Sequence, residues 1–116
     1  MQQDKVLKFV LDTLDDYKAV DVVNIDVREL TQICDNMVIC SGTSTRHVKT
    51  IAEQLVKHSK EADIDPLGVE GLEDGEWVLV DLADVIVHVM LPATREFYSL
   101  EKLWMTAEEA REGYER

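Results

Sequence analysis

The feature that most constrains the fold is the apolar run at residues 77–91, WVLVDLADVIVHVML. A buried helix can be equally apolar, but the high content of Val and Ile favours strands. The run is interrupted near its middle by Asp81, Ala83 and Asp84. A two-residue turn at Ala83 and Asp84 would divide it into two strands. The sequence therefore predicts a β-hairpin.

Counting outward from the turn divides the hairpin into two faces, because side chains alternate along a strand and directly opposed residues point the same way. The first face is aliphatic and is predicted to be core: Leu82 with Val85, Val80 with Val87, and Val78 with Val89. The second face is amphipathic: Asp81 with Ile86, Leu79 with His88, and Trp77 with Met90. Either a helix covers this second face, or it binds a protein, since Trp and Met are enriched in interface cores. The pattern alone favours the covering helix.

The length and charge of the chain limit the classes of function. At 116 residues it is long enough for one domain with a substantial core. Its 24 acidic and 12 basic residues give a net charge of −12, so phosphate backbones would repel it and direct nucleic-acid binding is not expected. An acidic surface suits docking onto a basic protein.

Neither membrane insertion nor metal binding is indicated by the sequence. No apolar run reaches the ~18 residues of a membrane span, and the amino-terminal residues MQQDKVLKF do not have the layout of a signal peptide. Cys34 and Cys40 form no CxxC or zinc pattern. We therefore expect reduced, buried thiols in a cytoplasmic protein.

Three helices are expected from the spacing of apolar residues. The first covers residues 4–18, and the last covers residues 93–105. The second follows the loop at residues 41–44. Its apolar positions follow the i, i+3, i+4, i+7, i+8 rule: Val48, Ile51, Ala52, Leu55 and Val56.

The remaining strands determine the fold class. Residues 21–27 and 36–40 read as strands, the second apolar throughout and so predicted to lie inside the sheet. Residues 69–71 read as a short strand before an acidic turn. Because a hairpin adds an antiparallel pair to crossover-linked strands, the order predicts a single α/β domain with a mixed sheet of about five strands flanked by helices. We expect this domain at residues 1–105 and a charged tail at residues 106–116.

The loop Gly42-Thr43-Ser44 is the first candidate for chemistry. It lies between a strand and a helix, where free N–H groups can hold an anion. It matches neither the GxxxxGK[ST] nor the GxGxxG pattern. Thr43 or Ser44 can equally serve as a helix cap, and capping is the favoured interpretation because caps are very common.

Carboxylates for metal-dependent phosphoryl or nucleotidyl transfer are the second candidate, since such enzymes need two or three converging on Mg²⁺. The pair Asn24 and Asp26 has an amide at one position, and Asp81 and Asp84 have a spacing that does not align them. No zinc spacing is formed by His47, His58 and His88. We therefore expect no catalytic site, no metal and no cofactor.

Five ordered motifs carry a resemblance to a known family. They are CSGTSTRHV at 40–48, PLGVEG at 66–71, WVLVDL at 77–82, DVIVHVM at 84–90 and YSLEKLW at 98–104. In these motifs the chain resembles the Iojap family of bacterial ribosomal silencing factors. The likeness runs from the first helix to Trp104 and leaves only the tail outside it.

The resemblance implies a binding protein. Family members look like nucleotidyltransferase-fold domains without the catalytic carboxylates. They bind large ribosomal subunit protein fourteen, block joining of the small and large subunits sterically, and so repress translation when nutrients are short. The alternative is a nucleotide-binding or nucleotidyltransferase enzyme that uses the loop Gly42-Thr43-Ser44.

The resemblance also places the partner surface on the hairpin and the helix that follows it. By motif position, the expected residues are Trp77, Leu79, Asp81, Leu82, Asp84, His88 and Met90, supported by Tyr98, Glu101 and Trp104. Asp81 and Asp84 would accept hydrogen bonds from Lys or Arg of a basic ribosomal protein. The binding interpretation of the second hairpin face now leads. It expects Trp77 and Met90 to stay uncovered, and a helix of the same chain that sealed both of them would contradict it.

Two further expectations follow from the same hairpin. Ala83 stands where relatives often carry Gly, so a turn that needs a positive φ there would cost on the order of 1 kcal/mol. An exposed Trp and Met face can also pair with itself, so a homodimer of the free protein is an option.

Overall fold

The computed structural model describes residues 2–28 and 34–98. The elements in chain order are α1 (Gln2–Asp16), β1 (Val20–Asp26), β2 (Asn36–Ser41), α2 (Thr45–Glu61), β3 (Gly68–Glu70), β4 (Trp77–Asp81), β5 (Val85–Met90) and α3 (Pro92–Tyr98). The expected third helix begins at Pro92. Its predicted continuation through residue 105 and the tail at 106–116 lie outside the described residues.

The five strands form one mixed sheet in the order β1-β2-β5-β4-β3. The central pair β2 and β5 is parallel, while β1 with β2, β5 with β4 and β4 with β3 are antiparallel. The predicted fold class is confirmed, and β2 lies inside the sheet as expected. Within the described part of the chain, no helix has the length and apolar character to span a membrane.

The sheet separates two apolar clusters. On one face α1 and α2 pack against the sheet, and the side chains at the centre of this core include Leu14, Ile51, Leu55, Val78, Val80, Val87 and Val89. The opposite face, called the outer face below, has a second cluster of Ile25, Val27, Cys34, Met37, Ile39, Ile86 and Met90. Val23, Trp77 and Leu79 are only partly buried and pack against this second cluster.

The first helix ends two residues earlier than the spacing predicts, and the backbone explains why. Lys18 adopts a left-handed φ of 63°. Its N–H donates to the carbonyl of Asp15 at 3.0 Å, and the N–H of Ala19 donates to that of Leu14 at 2.9 Å. These bonds close the helix and turn the chain toward β1.

The hairpin has the register obtained by counting. Trp77 pairs with Met90, Leu79 with His88 and Asp81 with Ile86 on the outer face, while Val78 with Val89 and Val80 with Val87 face the helices. The N–H of Leu82 donates to the carbonyl of Val85 at 2.9 Å and closes the hairpin. The prediction of the two faces is confirmed.

The hairpin turn does require a positive φ at Ala83, the condition under which the sequence predicts strain. Ala83 has a φ of 75°, a region that L-residues avoid because of Cβ contacts. Two short bonds hold it there: its N–H donates to Oδ1 of Asp81 at 2.9 Å, and the N–H of Asp84 donates to the carbonyl of Leu82 at 3.0 Å.

Replacing Ala83 by Gly should stabilise the protein, because Gly adopts this φ without a Cβ contact. We expect the free energy of unfolding, measured in urea, to rise by about 0.5–1 kcal/mol. Ala62→Gly is the matched control, since Ala62 has an ordinary φ of −96° and should gain nothing from Gly. A lower stability for Ala83→Gly would contradict the strain.

Candidate partner-binding face

The partner residues expected from the sequence divide into two layers. Trp77, Leu79 and Asp81 on β4 are partly exposed, and Asp84 in the turn is exposed. Three expected residues are buried: Leu82 at 3%, His88 at 6% and Met90 at 0% exposure. The side chain of Tyr98, and all of Glu101 and Trp104, lie outside the described residues.

The expectation that Met90 stays uncovered is wrong. Met90 lies in the central strand, between Ser41 of β2 and Trp77 of β4. Arg95 of α3 reaches the same end of the outer face, where its Nη1 donates to Oγ of Ser41 at 3.1 Å. Leu82 belongs to the core beneath the helices, so neither Met90 nor Leu82 is part of the exposed surface.

Trp77 and His88 form a polar contact on the outer face. The indole Nε1–H of Trp77 donates to Nδ1 of His88 at 3.0 Å. The two ring centroids are 5.9 Å apart, with planes inclined at 48°. Burial lowers the pKa of His88 to about 4. At neutral pH the imidazole is therefore uncharged, with Nδ1 as the acceptor and the proton on Nε2.

A shallow depression of about 260 Å³ adjoins Trp77 and is lined also by Leu79, Glu70 and Gly71. Gly71 has a φ of 90°, and a Cβ at this position would overlap the backbone carbonyl of Trp77. Neither Glu70 nor Gly71 was among the residues expected from the sequence. The short strand predicted before the acidic turn could have indicated them, because it places both residues opposite the start of β4.

The exposed part of the candidate face is thus small and chemically mixed. An apolar patch of Trp77 and Leu79 on β4 is accompanied by the partly exposed carboxylate of Asp81 and the exposed carboxylates of Glu70 and Asp84. Such a surface can bury an aromatic anchor and offer acceptors to cationic side chains around it.

The loop Gly42-Thr43-Ser44 has most of its donors engaged within the chain. The N–H of Gly42 donates to the carbonyl of Met90 at 3.1 Å, and that of Thr43 donates to Nδ1 of His47 at 2.9 Å. Oγ of Ser44 accepts from the N–H of His47 at 3.1 Å and caps α2. This geometry agrees with the capping interpretation and leaves few N–H groups for an anion.

The other sequence candidates for chemistry also have structural partners. Oδ1 of Asn24 accepts from Nδ2 of Asn36 at 3.1 Å. Asp26 accepts from Nη2 of Arg28 at 2.6 Å, and hydrogen bonds from Arg28 hold the pKa of Asp26 below its usual range. Cys34 and Cys40 are free and buried. Within residues 2–28 and 34–98, no three His, Cys, Asp or Glu side chains are placed to hold a metal ion.

Comparison with known proteins decides the family. The family model described as "Ribosomal silencing factor during starvation" matches residues 1–115. The chain belongs to the ribosomal silencing factor family. The match extends into the segment at residues 106–116, so the expected boundary at residue 105 stays a prediction.

Individual relatives of the chain support the same family. A protein of Haemophilus influenzae named ribosomal silencing factor RsfS is 44% identical over 99 residues, which are 85% of this chain and 97% of that protein. The RsfS of Chromobacterium violaceum is 43% identical over 90% of this chain and 85% of its own length. A crystal structure of a Chromobacterium violaceum protein superposes with a TM-score of 0.87 at 43% identity, covering 90% of this chain and 87% of that chain.

Replacing Gly71 by Ala should destabilise the edge of the candidate face, because the new Cβ meets backbone and the φ is strained. We expect a loss of unfolding free energy of about 2 kcal/mol or more, measured in urea. Gly68→Ala, at the start of the preceding strand β3, is the control, since its Cβ would meet nothing within 4 Å. Equal effects of the two substitutions would contradict the close approach at Gly71.

The depressed pKa of His88 should appear as a pH-dependent stability. An unfolded His binds its proton near pH 6.5 and folded His88 binds it near pH 4. Between these values the unfolded chain binds more protons, so stability falls as the pH falls. We expect wild type to lose about 2 kcal/mol more than His88→Phe between about pH 7.5 and pH 5, measured by urea unfolding.

The comparison with His88→Phe removes the pH dependence of stability that the two proteins share. A difference between wild type and His88→Phe that stays constant over this interval would show that His88 is not held neutral by burial.

Proposed function

We propose that this chain binds the large ribosomal subunit through the subunit's protein fourteen. By occupying that surface it blocks joining of the small subunit and represses translation when nutrients are limited. The observation that carries the proposal is the outer face, where Trp77 and Leu79 are partly exposed beside carboxylates. The family relationship supports the ribosome as the target, because the relatives are named ribosomal silencing factors.

The chemistry of this face suits a basic protein partner. Interface energy is concentrated in a few buried aromatic anchors, and Trp is the most enriched among them. Charged groups around the anchor steer the encounter and reject partners of like charge. With a net charge of −12, the chain would approach a cationic protein surface readily and would be repelled by exposed ribosomal RNA.

Steric occlusion needs no chemistry from the repressor. A bound domain need only occupy the position that the small subunit would contact, and its effect then depends on affinity and concentration. A face of apolar and acidic side chains without catalytic groups is sufficient for such a role. The alternative of a nucleotide-binding enzyme has less support, because Gly42 and Thr43 already donate within the chain.

Trp77→Ala should weaken binding to purified large ribosomal subunits while leaving the chain folded. Removal of a buried aromatic anchor costs about 2 kcal/mol or more, which is about thirtyfold in Kd. Co-sedimentation of the chain with large subunits over a concentration series measures this change. The same variant should lose its effect on the joining of small to large subunits.

Phe9→Ala is the matched control, because Phe9 is a partly buried aromatic residue packed in the helix layer on the opposite side of the sheet. It should lower stability without changing affinity, provided that binding is measured well below the unfolding midpoint. Unchanged affinity for Trp77→Ala, or an equal loss for Phe9→Ala, would contradict the proposed face.

A further inference from the structure

The hydrogen bond between Trp77 and His88 has a consequence for how the outer face can meet a partner. An indole ring has one polar atom, and its N–H must find an acceptor when the ring is buried in an interface. Here the acceptor is supplied from within the chain, by a side chain that is only 6% exposed. The polar edge of Trp77 is therefore directed toward the interior.

We propose that His88 is a positioning residue for partner binding, holding the Trp77 ring in one orientation so that the partner meets it through an apolar contact. This inference rests on the proposed function, since it concerns the same face. It assigns the chemistry of the partner at this point: an apolar recess that takes an aromatic ring and needs no acceptor for the indole N–H.

The position of His88 in the sheet makes it suited to this role. It lies on the central strand, with Ile39 of β2 on one side and Leu79 of β4 on the other. Its acceptor atom reaches Trp77 diagonally across the β4–β5 pair, because His88 lies two residues along β5 from Met90, the register partner of Trp77. Because both strands of the pair belong to one hairpin, the donor and the acceptor are held in place by the same backbone ladder.

If the ring of Trp77 is already fixed in the free chain, binding does not incur the entropic penalty of immobilising it. Immobilising a side chain at an interface reduces affinity by on the order of three- to tenfold, and preorganisation removes this penalty. An indole N–H released from His88 would in addition need another acceptor when the partner buries the ring. Loss of the histidine should therefore reduce affinity although His88 is only 6% exposed in the chain.

A histidine that merely fills the core makes a different prediction. Its replacement would change stability but leave both the ring of Trp77 and the affinity unchanged. His88→Phe keeps a ring of similar size and removes the acceptor. His88→Asn is the conservative control, because its Oδ1 lies close to the position of Nδ1 and can accept the indole N–H.

The experiment uses the full chain labelled with ¹⁵N at Trp, with the indole signal of Trp77 assigned by comparison with Trp77→Phe. In wild type and His88→Asn we expect slow exchange of the indole N–H with water. In His88→Phe we expect faster exchange and a three- to tenfold higher Kd for purified large subunits. Either an unchanged indole signal in His88→Phe, or an unchanged Kd when the indole is released, would overturn the inference.

Trp77→Phe tests the same contact without altering the buried histidine, so its own Kd for large subunits is a readout even if His88→Phe does not fold. It keeps an aromatic ring but removes the N–H. Its loss of affinity should be non-additive with that of His88→Phe, because both partners of one hydrogen bond are involved. Fully additive losses would contradict the role of His88.

Failure of this inference can be told apart from failure of the proposed function. If Trp77→Ala binds large subunits as tightly as wild type, the proposed face is wrong and the role of His88 is wrong with it. If Trp77→Ala binds weakly while His88→Phe binds normally with a released indole, only the role of His88 is wrong.

Discussion

The structure depends on the burial of β5, whose six side chains all lie inside the protein between β2 and β4. A strand in this position must present apolar side chains to both faces of the sheet, and the sequence VIVHVM does so with one exception. The exception, His88, is kept uncharged and is bonded to Trp77. The neighbouring strand β4 then becomes the place where side chains of the outer face reach the surface.

The exposed surface around Trp77 depends on buried residues that lie next to it as well as on the exposed residues themselves. Met90 and His88 are buried, but they lie beside Trp77 in the sheet and define the surface on which its ring rests. Asp81 contributes both to the turn and to the surface. Its side chain accepts a hydrogen bond from the N–H of Ala83 and is also partly exposed. Changes at these residues therefore affect the shape of the face as well as its contacts.

Local patterns in the sequence were enough to establish the hairpin. Alternation of side chains gave the register of Trp77 with Met90, and the helical spacing of Val48, Ile51 and Leu55 gave the buried face of α2. The five motifs gave the family, although they could not show which of their residues are exposed.

What the sequence could not show depends on contacts between distant segments. Met90 is fully buried in a strand that pairs with β2, and Arg95 bonds to Ser41, the β2 partner of Met90. Neither contact is visible in a two-residue period. The close approach of Gly71 to Trp77 is likewise a tertiary contact. A glycine in the sequence does not indicate which residue packs against it.

Hydroxyl-radical footprinting of the chain, free and bound to purified large ribosomal subunits, tests most directly which surface docks. If the outer face docks, Trp77 and Leu79 lose reactivity on binding while Phe9 and Tyr17, in the helix layer opposite, keep theirs. Protection confined to Phe9 and Tyr17, with Trp77 and Leu79 unchanged, would contradict the outer face as the docking surface.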